Sequence, residues 1–411
     1  MVSKITLTNF FSFGEETTIE LNPDVNILVG INGSGKSNLL KAIRLLYDGV
    51  VGHGFEKTFL KEWGGFDNVA HFGRKDFKFI KLNFEFDKEA ISKLFKPKKP
   101  LFDTNIEYEI SIEKIGKLTY RLHEFIADVD YQRYEDSDEE YEHIYLSSGS
   151  EAVMIYGKDG SQVTLSPENK FLNFNSSELV LRQVSDPDSY PRLFLFKKAL
   201  EKLSVYEYFD TTLRSPIRQA NNFDTEGKLL YNGQNLTSVL QRMKNHHAFA
   251  YEELEGCIQK INPHFKDISF DFLGPKVFLV LREKGLSKAI TAEYISDGTL
   301  RYLLLLSILL NPERGNIVCI DEPEIGLHPD MTNTIAEAIK KAGQDGTQLF
   351  IATHSPLLLN SFSIDEVLVF EKDENNQTRV NILEEEDLDE ADGSSLIGQL
   401  WLKGKIGGKR W

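Results

Sequence analysis

Cysteine is scarce in this 411-residue chain: only Cys257 and Cys319 occur, far apart and without the spacing of metal ligands. That excludes a disulfide framework and fits a reducing compartment. Long apolar runs are missing too. The longest, around Tyr302 to Leu310, is roughly half of what a bilayer span needs. The opening MVSKITLTNF lacks the apolar core of a signal peptide and alternates like a strand, so a cytoplasmic protein without membrane contact is expected. Basic charge is also in short supply, with 47 Lys and Arg against 63 Asp and Glu and a formal net charge of −16. Such a surface repels nucleic acid and anionic membrane as a whole, so DNA binding would need a locally basic groove. Neither internal repeats nor sustained heptads are found, which excludes a solenoid and an extended coiled coil.

What is present is the composition of an ordinary globular protein, 41% hydrophobic and 27% charged. The length suffices for two lobes, or for one α/β domain with an insertion. Short strands at Ser3–Asn9 and Thr17–Leu21 precede a buried strand, VNILVG, and a helix from about Lys36. Residues 77 to 126 alternate apolar and polar in FKFIKLNFEF and IEYEISIE, which predicts an antiparallel sheet. The acidic stretch Asp128–Glu142 reads as a solvated loop or strand edge. Residues from about Pro191 to Ile261 read as mainly helical. After Phe270, strands and helices alternate in the βαβ rhythm of a covered parallel sheet. His246 and His247 read as surface residues rather than metal ligands.

Chemistry enters with GINGSGKS, Gly30–Ser37, a phosphate-binding P-loop pattern set between a buried strand and a helix. Glycines let the backbone wrap closely, so amide N–H groups face phosphates and the helix N-terminus adds its dipole. Lys36 would reach the β and γ phosphates, and Ser37 would ligate Mg²⁺. A second apolar strand, NIVCID, delivers Asp321 and Glu322 to its C-terminal end, where open parallel sheets bind ligands. There Asp321 would hold Mg²⁺ through its water shell and Glu322 would position or deprotonate the attacking water. A third strand, QLFIAT, ends at His354, which could donate to the γ-phosphate.

These motifs together resemble the ABC-type ATPase heads of RecF, SMC and OLD (overcoming lysogenization defect) proteins over about residues 1–50 and 290–371. The closing LIGQLWLKGKIGGKRW is similar to bacterial AAA-type ATPases of the OLD-like kind without a Toprim nuclease. The resemblance implies an α/β fold: an ABC-type ATPase head with a P-loop parallel core sheet, an antiparallel β subdomain and a mostly helical insertion. The corresponding segments are 1–130 for the N-terminal part of the head, 131–290 for the insertion and 291–411 for the C-terminal part. It implies ATP and Mg²⁺ as cofactors. Gly30, Asn32, Gly33, Ser34, Gly35, Lys36, Ser37 and Asn38 would bind nucleotide, and Asn9, Phe10 and Ser12 would touch base or ribose. ISDGT stands where such heads keep a signature loop, so Ser296 and the amides around Gly298 would complete the ATP site of a partner head. EIGLHP resembles the D-loop, and His354 the switch histidine.

Departures accompany the matches. Asp297 stands where the usual signature has a second glycine, and Gln132 and Gln183 are the available glutamines for a Q-loop. Only 57 residues follow His354, and EEEDLDEAD among them reads as a solvated linker rather than a nuclease centre. The leading expectation is an ATP-gated homodimer that controls a separate effector such as a nuclease, in phage defence for example. A RecF-like DNA clamp is the alternative, supported by KLFKPKKP and WLKGKIGGKR and opposed by the net charge. A transporter's nucleotide-binding subunit suits neither the entry strand nor the insertion.

Overall fold

The computed structural model describes residues 1–73, 78–95, 102–116, 118–129, 144–148, 153–156, 162–165, 175–222, 224–383 and 396–406. Most of the acidic stretch, Gln132, EEEDLDEAD and the last five residues lie outside them. The chain forms two compact units. The first comprises Met1–Pro23, Gly30–Leu203 and Val369–Asn381; the second comprises Asp24–Val29, Ser204–Leu368 and Ile382–Trp411. The expected insertion, 131–290, is therefore shared between both.

The first unit is built on an antiparallel sheet. Its strands are β1 (Val2–Thr8), β2 (Thr17–Glu20), β4 (Phe79–Phe86), β5 (Ile106–Lys114), β6 (Tyr120–Asp128), β7 (Ile144–Ser148), β8 (Val153–Tyr156) and β9 (Gln162–Leu165); β3 (Val25–Gly30) lies between β2 and β4 in sequence. The order is β2-β1-β4-β5-β6-β7-β8-β9. Alternation sets the faces: Ile80, Leu82, Phe84 and Phe86 of β4 are buried while the residues between them are exposed or half-buried. Phe86 packs edge-on against Phe196 of the helix Pro191–Leu200, with ring centroids 5.0 Å apart.

A carboxyl group is buried within this sheet. Glu124 on β6 accepts from the Tyr108 hydroxyl at 2.7 Å and from the Val180 N–H that opens the short helix Val180–Gln183. Burial pushes its pKa up to about 7 against the pull of those hydrogen bonds.

The second unit contains parallel strands. In the sheet order β10 (Leu203–Tyr206), β15 (Ile317–Asp321), β16 (Gln348–Thr353), β3 and β17 (Val367–Lys372), β16 runs parallel to both β15 and β3. β11 (Asn221–Asn222), β12 (Phe265–Leu273), β13 (Lys276–Glu283) and β14 (Ile290–Thr291) form a separate antiparallel sheet. Register in the parallel set pairs Asp321 with Ala352 and Thr353 with Val29, so the ends of β15, β16 and β3 reach one edge. All six residues of VNILVG and of QLFIAT are buried, as expected for strands covered on both faces. Helices Asp297–Leu309 and Pro329–Gln344 belong to this unit, the first with nine buried residues out of thirteen. The expected insertion is mixed in character: β7 to β14 come from it, together with helices Leu236–His246 and Ala248–Ile261. Among the described residues, no helix is long and apolar enough to cross a membrane.

Candidate nucleotide site

The P-loop leaves the end of β3 and turns into the helix Lys36–Val50, the strand-loop-helix unit that the pattern predicts. Gly35 is its tightest point. Its φ is +116°, and a Cβ there would lie 2.3 Å from Thr378 Oγ1, so both backbone freedom and the missing side chain are needed. Asn32, Gly33 and Ser37 are exposed along the loop, whereas Ser34, Gly35 and Lys36 are buried. The Lys36 ammonium donates to the carbonyls of Gly30 at 2.7 Å and Ile31 at 3.2 Å, which holds it at the mouth of the loop. Lys36 and Ser37 open the helix, so their N–H groups precede any intrahelical acceptor and point where a phosphate would sit.

Two residues outside the motif brace it. The Thr378 hydroxyl lies 2.7 Å from both the Ser34 carbonyl and Ser12 Oγ, and Asn38 Nδ2 donates to Ser12 Oγ at 2.7 Å. Ser12 and Asn38 thus lie against the loop, while Thr378 carried no sequence signal. Asn9 and Phe10 take other places. The Asn9 amide donates to the Phe79 carbonyl and accepts from the His71 N–H, and Phe10 is 0% exposed. Their side chains lie in the interior of this unit. Gln183 bonds locally to Asn175 and Leu179.

The acids at the end of β15 sit on a strained turn. Glu322 has φ of +50°, uncommon for a residue with a side chain and costing on the order of 1 kcal/mol or more. Its N–H donates to the Ala352 carbonyl at 2.8 Å, and its own carbonyl accepts from Ile325 N–H at 3.2 Å. This conformation aims Glu322 Oε1 at His354 Nε2, 2.8 Å away at the end of the neighbouring strand. Glu322 and His354 are each about one-third exposed, accessible enough to meet a reactant. A further acid, Glu324, receives the Thr353 hydroxyl and the N–H groups of His354 and Ser355. Sequence reasoning passed over it as part of EIGLHP.

Ser296 caps the leucine-rich helix by accepting the Thr299 N–H at 3.2 Å. Gly298 packs against the D-loop so closely that a Cβ would lie 2.8 Å from the Gly326 carbonyl. Asp297, the departure from the usual signature, pairs with Arg218, whose buried guanidinium also donates to the carbonyls of Thr211, Ala292 and Ile295. The acid is therefore the counter-charge of an arginine that gathers the chain leading into the loop. Arg301, one turn into the same helix, donates to the Ile325 carbonyl at 3.3 Å and lies over the Tyr208 ring. The loop that opens this helix and the EIGLHP turn are tied together within this unit.

Comparison with known proteins gives the family and the fold likeness. A family profile described as "AAA domain, putative AbiEii toxin, Type IV TA system" matches residues 25–360. The chain belongs to this family. It is 25% identical over 180 residues to the Old nuclease of Escherichia phage P2, a match covering 38% of this chain and 29% of that protein. The chain thus spans less than a third of the Old nuclease. It is 23% identical over 409 residues to an ATP/GTP phosphatase of Helicobacter pylori, covering 94% of this chain and 93% of that one. Among solved structures, the Smc head bound to the C-winged helix domain of ScpA matches with a TM-score of 0.57 at 13% identity, over 94% of this chain and 98% of that one. At such identity the likeness concerns the fold, which is that of an OLD-like and SMC-like ABC-type ATPase head.

Members of such a family use magnesium with the nucleotide, and the donor chemistry of this chain fits it. Ser37 offers an exposed hydroxyl on the first helical turn and Asp321 a half-buried carboxylate at a strand end. Both are hard oxygen donors, and Mg²⁺ typically takes one or two such groups while keeping several waters.

Proposed function

We propose that this chain hydrolyses ATP with magnesium and that ATP gates a head-to-head homodimer, which controls a separate effector such as a nuclease in the cytoplasm. The observation that carries this reading is the Glu322–His354 pair at 2.8 Å, a base held by a histidine where the neighbouring strands β15 and β16 end. Lys36 and the loop amides bind the β and γ phosphates, while Ser37 and Asp321 hold the metal. Glu322 orients and deprotonates water, and His354 fixes the rotamer of Glu322. Magnesium, when bound, supplies charge neutralisation on the phosphate oxygens.

Dimer formation is supported by the surface around the signature loop. Ser296 is exposed at a helix N-terminus, a good place for an anion, and the neighbouring Asp297 carboxylate is paired with Arg218. Exposed Tyr208, Tyr294 and Ile325 belong to the same unit, the large apolar side chains that a second copy would cover. ATP stabilises the closed dimer only if it binds that state better, and the shared γ-phosphate contact provides the difference. A nuclease effector and a part in phage defence are supported by the phage relative named a nuclease and by the toxin system in the family description.

Light scattering tests the gating. Glu322→Gln should double in mass with ATP and remain single with ADP. Ser296→Arg should bind ATP yet stay single; if it dimerises as readily as the parent, the signature-loop assignment is wrong.

A further inference from the structure

We propose that Glu324 is a positioning residue that holds the switch histidine against the general base, an assignment that rests on the ATPase reading above. Three donors converge on one of its oxygens. Glu324 Oε1 accepts the Thr353 hydroxyl at 2.6 Å, the His354 N–H at 2.9 Å and the Ser355 N–H at 3.0 Å. Bonds to an ionised acceptor are shorter and roughly twice as strong as neutral ones. The other oxygen, Oε2, is buried without a hydrogen-bond partner. A buried unpaired acceptor costs stability, so this carboxylate is not the cheapest way to close the turn.

The arrangement gives the ends of β15 and β16 two separate attachments. Glu322 and Glu324 lie on the same turn, two residues apart. The first meets the imidazole of His354 through Oε1 and Nε2 at 2.8 Å, and the second grips the peptide from which that imidazole hangs. With both in place, neither the ring nor the peptide that carries it can shift without breaking a hydrogen bond. Pairing between β15 and β16 stops at Asp321 and Ala352, two residues short of the histidine, so their register does not supply this restraint. The Glu324 carboxylate acts only through His354 and Glu322.

The test is a kinetic and structural comparison of the full chain with Glu324→Ala, Glu324→Asp, His354→Ala and the Glu324→Ala/His354→Ala double variant. Loss of the clamp displaces the histidine by a fraction of its own length, and a misplacement of about 1 Å near reacting groups can cost about a hundredfold in rate. Glu324→Ala should therefore lower kcat by about ten- to a hundredfold, with ATP affinity held within about twofold. Glu324→Asp keeps the charge but withdraws it by one methylene, so it should show the same split in smaller measure. The double variant should turn over no more slowly than His354→Ala alone, because the two residues act as one unit. An equal loss from Glu324→Ala in both backgrounds overturns the assignment, as does an unchanged kcat in Glu324→Asp. A parent protein that does not hydrolyse ATP refutes the ATPase reading instead. The clamp is then decided by a crystal structure of a Glu324 variant: His354 Nε2 displaced from Glu322 supports it, and the pair intact at hydrogen-bond distance overturns it.

Discussion

The phosphate loop Gly30–Ser37 takes most of its shape from its own backbone, with Thr378 as an outside brace, whereas the acids of the turn Asp321–Ile325 are held by groups about thirty residues away in sequence. In the loop, Ser34 N–H donates to Ile31, and Lys36 folds back onto Gly30 and Ile31. In the turn, Glu322 and Glu324 bond to Ala352, Thr353, His354 and Ser355. A loop whose shape comes mainly from its own glycines can be recognised from eight residues. The turn needs the register of two strands before any of its contacts exist. The signature loop belongs with the turn, because Arg218 and Asp297 are 79 positions apart and meet only in the folded unit.

If that contrast holds, removing a side chain should hurt the second kind of region more than the first. Arg218→Met carries the largest expected effect. It strips hydrogen bonds from the carbonyls of Thr211, Ala292 and Ile295, and should cost at least about 3 kcal/mol in denaturant unfolding. A cost under about 1 kcal/mol would mean that the signature loop is self-shaped after all.

Glu124 sharpens the comparison, since it places a side-chain-dependent contact in the first unit. Burial raises its carboxyl from the ordinary 4.5 to about 7. The folded chain therefore keeps a proton that the unfolded chain loses. Its stabilising contribution is complete below about pH 4.5 and fades as pH climbs through 7, with a total of about 3 kcal/mol. Melting measured between pH 5 and 8 should show this decline in the parent and a flatter profile in Glu124→Gln.

Smaller effects should follow in the phosphate loop. Gly35→Ala, forced to a positive φ and against Thr378, should weaken ATP binding by about tenfold, read by titration calorimetry. Its melting midpoint should barely move if the strain stays local. Smallest is Ser296→Ala, which removes one helix cap and should cost about 1 kcal/mol in unfolding.

The same contrast accounts for what could be read in advance. The P-loop, the buried parallel strands and the placing of Asp321, Glu322 and His354 at strand ends follow from local patterns and from the period of buried residues. Arg218 as partner of Asp297, Thr378 as brace of Gly35 and Glu324 as grip on His354 depend on contacts between distant segments, and nothing local marks them. The inward placing of Asn9 and Phe10 is likewise unmarked by local pattern. Their positions in the chain suit a nucleotide contact, yet the tight bend at Asn9 and Phe11, both with positive φ, turns the Asn9 amide and the Phe10 ring inward.

The most direct measurement is phosphate release by the parent protein and by Glu322→Gln, at saturating ATP and magnesium. A positioned base is typically worth 10²- to 10⁴-fold, so turnover should fall by at least about a hundredfold while ATP affinity stays the same. Turnover in Glu322→Gln equal to that of the parent would contradict the account.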